Sequence, residues 1–460
     1  MSEPADTATA SGAPALHRAI GPKLLLFLVI GDMLGTGIYA LTGDVAGEVG
    51  GAAWLAFGAA FIVAMLTATS YLELVGKYPR AAGAALYAHR AFRSDFVAFL
   101  VAFAVLSSGI TSVAAASQAF AGYFQQFLAM PIMPIAFAFI LVLAAINFRG
   151  VGESVKLNVV LTCIEFAGLL IVIALGAAAL AQGMGDAGNA LMFRADGDPF
   201  PLIISGAGLA FFAIVGFEDS VNMVEETKDP RRSFPRAFFM GITITGIVYM
   251  SVAFVATALV PIDVLRESNQ DLLEVVRISA AWFPLTLFAL IAMCAVANTS
   301  LINLMMASRL LYGMSREQVI PAAFAAVHAR RRTPWIAIVF TTVLALGLAS
   351  WGGVRALGGT TALLLLCVFT LVNAAVLVLR RHPVAHDHFR APTLCPILGI
   401  LSCAYLASPL SGRAPQEYGI AGVLLVVGVL LFGVNRWVQG RRTTPLNVEQ
   451  LVKNSASPPD

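Results

Sequence analysis

The sequence predicts an all-α polytopic membrane protein with twelve transmembrane helices, and three observations support this prediction. Of 460 residues, 59% are hydrophobic and only 12% are charged, about half the charge of an average soluble chain. Apolar stretches of about 20 residues recur along the whole chain, and each can cross a hydrocarbon core of ~30 Å. With the N-terminus inside, 24 of the 29 Lys and Arg residues fall on the inner side, as is typical of cytoplasmic loops.

The predicted spans are apolar stretches separated by short polar or charged loops. In chain order they cover residues 24–43, 51–75, 95–123, 130–148, 155–180, 200–227, 235–260, 282–314, 334–351, 358–379, 393–410 and 418–437. A ten-span core would then occupy residues 21–380, followed by two further spans over 381–440. Residues 1–20 and 441–460 are polar tails, of which we expect the first to be disordered. The charge asymmetry places both tails in the cytoplasm, and the Ala-rich chain with short loops favours a bacterial inner membrane.

Glycines interrupt the first predicted span at Gly35 and Gly37, on either side of Thr36. Lipid offers no hydrogen-bond partner, so an interrupted backbone is tolerated where its freed groups line a cavity. The two glycines permit a non-helical turn, and the amides at the start of the following half-helix suit a carboxylate. Close helix packing through small residues is the alternative, but a second interruption in span 6 favours a binding role.

The second interruption covers residues 211–218, with Gly216 at the end of its central part, 212–216. A break there would free carbonyl oxygens that accept from an ammonium group, while Phe211, Phe212 and Phe217 would shield the site. A lipid-facing aromatic stripe fits less well beside Glu218. Two broken helices five spans apart are typical of a transporter's substrate site. Because span 1 starts inside and span 6 outside, spans 1–5 and 6–10 can form a 5+5 inverted repeat.

Three carboxylates lie within predicted spans: Asp32, Glu165 and Glu218. Each is nine or ten positions from a basic residue at the inner end of its span, which places it ~14 Å above that residue, near mid-membrane. A buried acid is costly unless it is paired, protonated or bound to a cation, and the sequence offers no basic residue at that depth. We therefore expect these acids to couple transport to a cation. A protonated acid bonded to the backbone, without a role in coupling, is the alternative.

The charged run at residues 225–236 ends span 6 on the inner side. Its acids Glu225 and Glu226 can pair with inner basic residues such as Lys77. We expect them to form a cytoplasmic gate, together with the shielding rings of Phe211 and Phe217. A solvated charged turn is equally compatible with this run.

The sequence gives no sign of an enzyme. Its five cysteines fall in apolar runs without metal-like spacing and are expected to be core residues. Three histidines near residue 385 lie in a polar loop, where a metal site is not expected. With no nucleophile–base constellation, we expect no cofactor, metal or nucleic-acid partner. The expected partners are a small-molecule substrate, a coupling cation and the lipid bilayer.

Taken together, several segments resemble the amino acid–polyamine–organocation (APC) superfamily, and particularly its cationic amino acid transporter branch. The resemblance rests on residues 35–39, 78–83, 211–235, 308–317 and 320–321. It covers spans 1–10 and, more weakly, spans 11–12. It implies alternating-access secondary transport of amino acids or amines by a 5+5 inverted-repeat core.

The resemblance also implies a location for each end of the substrate and for a cation. The substrate carboxylate would rest on Thr36, Gly37 and Ile38. The amino group would rest on the main-chain carbonyls of Phe212, Ala213 and Val215. The cation site would combine Thr299 and Ser300 of span 8 with span 1 carbonyls near Gly31 and Leu34.

One departure from the family pattern concerns the coupling ion. Proton-coupled relatives often carry a lysine in mid-span 5, at the position that is Glu165 here, and Asp32 replaces a small residue. A lysine-based mechanism therefore does not transfer to this chain. Our hypothesis is that Glu165 and Asp32 form a titratable or cation-binding pair.

Three functions are compatible with these features. The first is a cation-coupled symporter of an α-amino acid, with a proton favoured over sodium. The second is an exchanger of cationic amino acids or polyamines, in which Glu218 or Asp32 binds the charge of the substrate. The third is an amino acid sensor without turnover, which the short loops and the absence of a soluble signalling domain disfavour.

Overall fold

The computed structural model describes residues 20–439 except 79–82, 150–154, 269, 317–318, 332 and 385. Regular structure over these residues is helical. In chain order the α-helices are α1 (Pro22–Met33), α2 (Thr36–Val49), α3 (Ala53–Lys77), α4 (Gly83–Phe92), α5 (Asp95–Phe124), α6 (Ile132–Arg149), α7 (Val155–Ala181), α8 (Pro199–Ile214), α9 (Pro230–Leu259), α10 (Ile262–Glu267), α11 (Asp271–Ser279), α12 (Leu285–Arg316), α13 (Trp335–Trp351), α14 (Val354–Leu379), α15 (Leu394–Ala407) and α16 (Pro415–Gln439). Short 3-10 helices cover Asn189–Leu191, Asp219–Glu226, Ala322–Ala325 and Pro409–Ser411.

Nine helices of the described residues are long and apolar enough to cross a membrane, and the bent pair α1–α2 adds a tenth span. Helices α13 and α15 lie where the ninth and eleventh spans were predicted, with 17 and 14 residues respectively. The chain is therefore a polytopic membrane protein. The count of twelve spans and their inverted repeat remain predictions.

The two interrupted segments lie at the centre of the bundle. Helix α1 packs against α7 and α9, and α2 packs against α8. Helix α8 in turn contacts α3 and α14, while α5 joins α12 and α14 behind them. The breaks in spans 1 and 6 are thus enclosed by protein, where non-helical backbone can persist in a membrane.

Short helices α10 and α11 occupy the connection between α9 and α12. They lie directly on the backbone of α2. A methyl group added at Gly43 would lie 2.2 Å from the Leu265 carbonyl oxygen. This connection therefore reaches the half-helix that begins at the break in span 1.

A buried ion pair joins the end of α14 to α3. The Arg380 guanidinium contacts both carboxylate oxygens of Glu73, at 2.8 and 2.7 Å. The same carboxylate accepts the Ala391 N–H at 2.8 Å. The Glu73 side chain is 2% exposed and that of Arg380 is 11% exposed. Each buried charge is therefore stabilised by the opposite charge of its partner.

Replacing Arg380 by alanine is expected to destabilise the fold strongly. The change leaves the Glu73 carboxylate buried without its counter-ion, which typically costs about 3–5 kcal/mol. Arg277→Ala is the control, because Arg277 is 47% exposed in its pair with Glu274 and exposed pairs contribute about 0–1 kcal/mol. The measurement is the apparent melting temperature in detergent. Equal melting of the two variants would contradict the assigned role.

Candidate substrate site between two interrupted helices

The break in span 1 exposes the beginning of a half-helix inside the protein. Helix α1 ends at Met33, α2 begins at Thr36, and their axes differ by 43°. The first amides of α2 have no intrahelical partner, and no side chain caps them. The Thr36 hydroxyl is also buried without a hydrogen-bond partner among the described residues. These donors, at the positive end of the α2 dipole, can bind an anionic group.

The break in span 6 provides the opposite chemistry. Helix α8 ends at Ile214, and Gly216 follows with φ +120°, a conformation that favours glycine. In a continuous helix the Gly216 N–H would donate to the Phe212 carbonyl. Here it donates to Glu218 Oε2 at 2.8 Å. The carbonyl end of α8, negative by its dipole, is thereby left open to a cationic group.

The two breaks lie against each other because glycine allows it. A methyl group at Gly37 would lie 2.3 Å from the Ala213 Cα, and one at Gly216 would lie 2.2 Å from the Asp32 carbonyl oxygen. The start of α2 therefore lies beside the end of α8. The uncapped amides of α2 are therefore close to the carbonyl end of α8, and this pairing of anion donors with cation acceptors complements the carboxylate and ammonium of a zwitterion.

The aromatic residues predicted to shield the site form a cluster on its α3 and α14 side. Phe217 lies 6.0 Å from Tyr71 and 5.4 Å from Phe369, measured between ring centroids, and Phe211 lies 5.9 Å from Phe369. Phe211 and Phe217 are completely buried, and Phe212 is 5% exposed. The side chains of Glu225 and Glu226, predicted to gate the inner side, fall outside the described residues.

The carboxylates predicted at mid-membrane fall into two groups. Glu165 is completely buried, its Oε1 accepts from Asn298 Nδ2 at 3.4 Å, and its Oε2 has no partner among the described residues. Asp32 accepts from the Ser220 hydroxyl at 2.9 Å and is close enough to Glu165 for an electrostatic interaction. Glu218 instead binds the Gly216 amide. The structure thus brings Asp32 and Glu165 together and places Glu218 within the break of span 6.

The residues predicted to hold a cation lie in different surroundings. The Thr299 hydroxyl is 3.5 Å from the Leu34 carbonyl oxygen and 3.3 Å from that of Ala295, so it reaches the break in span 1. The Ser300 hydroxyl donates to Val296 of its own helix at 2.6 Å. Gly31 lies against α7, where an added methyl group would be 2.1 Å from the Thr162 hydroxyl.

Sequence reasoning missed three residues that support the site. The Asn298 amide donates to the Glu165 carboxylate, and the Ser220 hydroxyl donates to that of Asp32. The Tyr249 hydroxyl donates to the Met33 main-chain carbonyl at 2.7 Å. Met33 is the last residue of α1, so Tyr249 satisfies one of the carbonyls that the break frees. Asn298 could have been found as an amide next to Thr299 in an apolar span. Nothing in the sequence distinguishes Tyr249 from other aromatic residues of the spans.

The comparison with known families decides the class of protein. The sequence profile of the family described as "Amino acid permease" matches residues 20–434. The chain belongs to this family. The resemblance predicted from its motifs is thereby confirmed, and this permease is a membrane transporter and not an enzyme.

Several relatives are similar to this permease over most of its length. It is 26% identical to the branched-chain amino acid permease BcaP of Bacillus subtilis (strain 168), over 96% of this chain and 97% of that protein. It is 28% identical to the methylthioribose transporter of the same organism, over 94% and 96%. It is 28% identical to cationic amino acid transporter 4 of Homo sapiens, over 80% of this chain and 60% of that protein.

Proposed function

We propose that this permease moves a neutral α-amino acid together with a proton, by alternating access. The observation that carries the proposal is Glu165, a completely buried carboxyl with one oxygen lacking a partner among the described residues. Asn298 is a neutral donor and Asp32 is itself acidic. A carboxyl in such surroundings favours its neutral, proton-bearing form. When Glu165 is protonated, the site can change the side of the membrane to which it is open without carrying the negative charge of this residue.

The substrate class is inferred from the two breaks. The uncapped start of α2, with the Thr36 hydroxyl, suits a carboxylate, and the carbonyl end of α8 suits an ammonium group. These groups recognise the part that all α-amino acids share. The rings of Phe211, Phe212 and Phe217 on the α8 side supply apolar surroundings, which favour an uncharged substrate side chain. The similarity to a branched-chain amino acid permease supports the same choice.

A second candidate is exchange of cationic amino acids or polyamines. It is favoured by two separate acidic residues beside the breaks, Asp32 and Glu218, and by the similarity to cationic amino acid transporters. Against it, Glu218 already binds the Gly216 amide and Asp32 the Ser220 hydroxyl. Both carboxylates would have to exchange these partners for a substrate cation.

Twelve spans, a 5+5 inverted repeat and cytoplasmic termini belong to the same proposal. Their support is the position of the predicted apolar stretches, the broken helices in spans 1 and 6, and the 24 basic residues on one side. Location in a bacterial inner membrane is part of the proposal too, and its support is the Ala-rich chain with short loops.

Uptake into proteoliposomes tests the proposal and separates the two candidates. We expect a proton gradient directed into the vesicles to drive accumulation of neutral amino acids. A sodium gradient in the same direction should not drive it. Glu218→Gln should retain this uptake, because glutamine keeps an oxygen that accepts the Gly216 N–H. If only cationic substrates are taken up, without a pH gradient, and Glu218→Gln abolishes that uptake, exchange of cationic substrates replaces our proposal.

A further inference from the structure

The substrate site is sealed on its outer side where α2, α8 and α14 meet. Leu41 of α2 and Phe212 of α8 both lie against Gly358 of α14, where an added methyl group would be 2.8 Å from Leu41 Cδ1 and 3.2 Å from Phe212 Cδ1. Leu41 is completely buried and Phe212 is 5% exposed. Asp32 and Asp219, on the inner side of the breaks, are partly exposed. This outer seal must therefore open before a substrate can enter from outside.

A buried arginine between the last two spans connects the two helices of the outer seal that bear Phe212 and Gly358. Arg413 lies in the turn between α15 and α16, and its side chain is 3% exposed. It donates to the Gly208 carbonyl of α8 at 2.8 Å and to the Gly359 carbonyl of α14 at 2.9 Å. Gly208 is one helical turn from Phe212, and Gly359 follows Gly358. Arg413 therefore joins α8 to α14 beside the seal.

The turn that carries Arg413 is folded against α8. Its Gly412 has φ +82°, a conformation that favours glycine, and a methyl group added there would be 3.1 Å from the Ser205 hydroxyl of α8. Arg413 Nε donates to the Leu406 carbonyl near the end of α15 at 2.6 Å. The charge asymmetry of the loops predicts that this turn lies on the outer side of the membrane. Its contacts thus connect the outer halves of the spans.

The counter-ion of Arg413 lies on α16 and not on α8. Glu417, 6% exposed, accepts from Arg413 at 2.6 Å. Among the hydrogen bonds of the described residues, α8 supplies only the Gly208 carbonyl, whereas Leu406, Gly359 and Glu417 belong to α14–α16. If α8 moves away, Arg413 loses one hydrogen bond and keeps its counter-ion. Loss of the counter-ion would leave a buried charge unpaired at a far higher cost, so α8 is the partner that can be released.

We propose that Arg413 and Glu417 form an outer clamp, which holds α8 on α14 and releases it when the site opens to the outside. The inference rests on the proposed alternating access and gives the last two spans a part in it. One hydrogen bond from a charged donor is strong enough to bias an equilibrium between two states. It is also weak enough to be broken in every transport cycle.

Labelling of Leu41→Cys in intact cells by a membrane-impermeant maleimide measures how often the outer seal opens. Arg413→Met/Glu417→Gln removes the outer clamp without leaving a buried charge unpaired. In this background labelling should be between about 10- and 150-fold faster, the ratio that follows from loss of one hydrogen bond to a charged group. Arg277→Met/Glu274→Gln makes the same substitutions in a more exposed pair on α11 and should leave the labelling rate unchanged. Protein without Leu41→Cys gives the background of the five native cysteines.

A second cysteine distinguishes opening of the seal from general loosening of the fold. Ala256 is completely buried in α9, and Ala256→Cys should stay unreactive when the outer clamp is removed. Faster labelling of both cysteines would mean that the clamp only stabilises the fold, which overturns the inference. Unchanged labelling of Leu41→Cys overturns it too and leaves the proposed proton coupling intact. If labelling rises at Leu41→Cys alone but Glu165→Gln retains proton-driven uptake, the clamp stands and the proposed coupling fails.

A covalent link across the same contact tests the converse. A Cβ atom on Gly412 would lie 3.3 Å from Ser205 Cβ, near the separation of about 3.5–4.5 Å found in disulfides. The cross-linked variant Ser205→Cys/Gly412→Cys should therefore lose uptake, and a reductant should restore it. Ser205→Cys and Gly412→Cys alone, treated with the same oxidant, are the controls. Undiminished uptake by fully cross-linked protein would show that α8 stays on the turn during transport, which overturns the inference.

Discussion

Replacing Glu165 by glutamine is expected to remove proton-driven accumulation of substrate and to leave substrate exchange intact. Glutamine has the shape of glutamate and keeps an oxygen for the amide of Asn298, which lies 3.4 Å from Glu165 Oε1. It cannot, however, take up a proton at the position of Oε2, which has no partner among the described residues. The substrate site between α2 and α8 should therefore remain assembled while its coupling is lost.

The size of this effect follows from the free energy stored in a pH difference. One pH unit corresponds to about 1.36 kcal/mol, which sustains about a tenfold concentration ratio when one proton accompanies each substrate. In Glu165→Gln the ratio should fall to about one, whatever pH difference is imposed. The measurement is the plateau of labelled amino acid inside proteoliposomes, with exchange at equal pH as the test that the variant is folded.

Two results would contradict this assignment in different ways. Wild-type accumulation by Glu165→Gln would show that this residue does not carry the proton. Loss of coupling in Glu218→Gln instead would move the coupling acid to the break of span 6. Asp32→Asn is the informative partner variant, because Asp32 interacts electrostatically with Glu165 and its neutralisation should change the pH at which coupling is half-maximal.

The bundle could be predicted from the sequence because length and apolar character alone make a membrane helix. Each of the twelve predicted stretches contains a helix in the structure. Helix α13 has the predicted extent to within one residue, whereas α15 ends at Ala407, three residues before the predicted end of its span, where Ser408 and Pro409 follow.

The positions of the breaks could also be predicted, because glycine and the loss of helical pattern are local features. The contacts across them could not. Helical rise fixes how deep a residue lies, so three acids were placed at one depth, but it does not fix the direction of the side chain. That direction depends on the turn at Gly216, which lets Glu218 bind the Gly216 amide, while Asp32 lies near Glu165.

Replacing Thr36 by valine is expected to weaken amino acid binding without destabilising the empty protein. The Thr36 hydroxyl is buried at the uncapped start of α2, where it can donate to the substrate carboxylate. A hydrogen bond to a charged group contributes about 1.5–3 kcal/mol, so its loss should raise Kd between about 10- and 150-fold. The isosteric valine removes the hydroxyl and keeps the volume of the side chain.

Thr42→Val is the matched control, because Thr42 lies in the same helix and is completely buried. Its hydroxyl already donates to the Ile38 carbonyl of that helix at 2.6 Å. That variant should bind substrate like the wild type. Thr36→Val should melt at or above the wild-type temperature without substrate, since a buried hydroxyl without a partner opposes folding. With substrate it should gain less stability than the wild type, as weaker binding requires. If Thr36→Val instead binds normally, the carboxylate does not rest on the start of α2, and the zwitterion site between the two breaks is wrong.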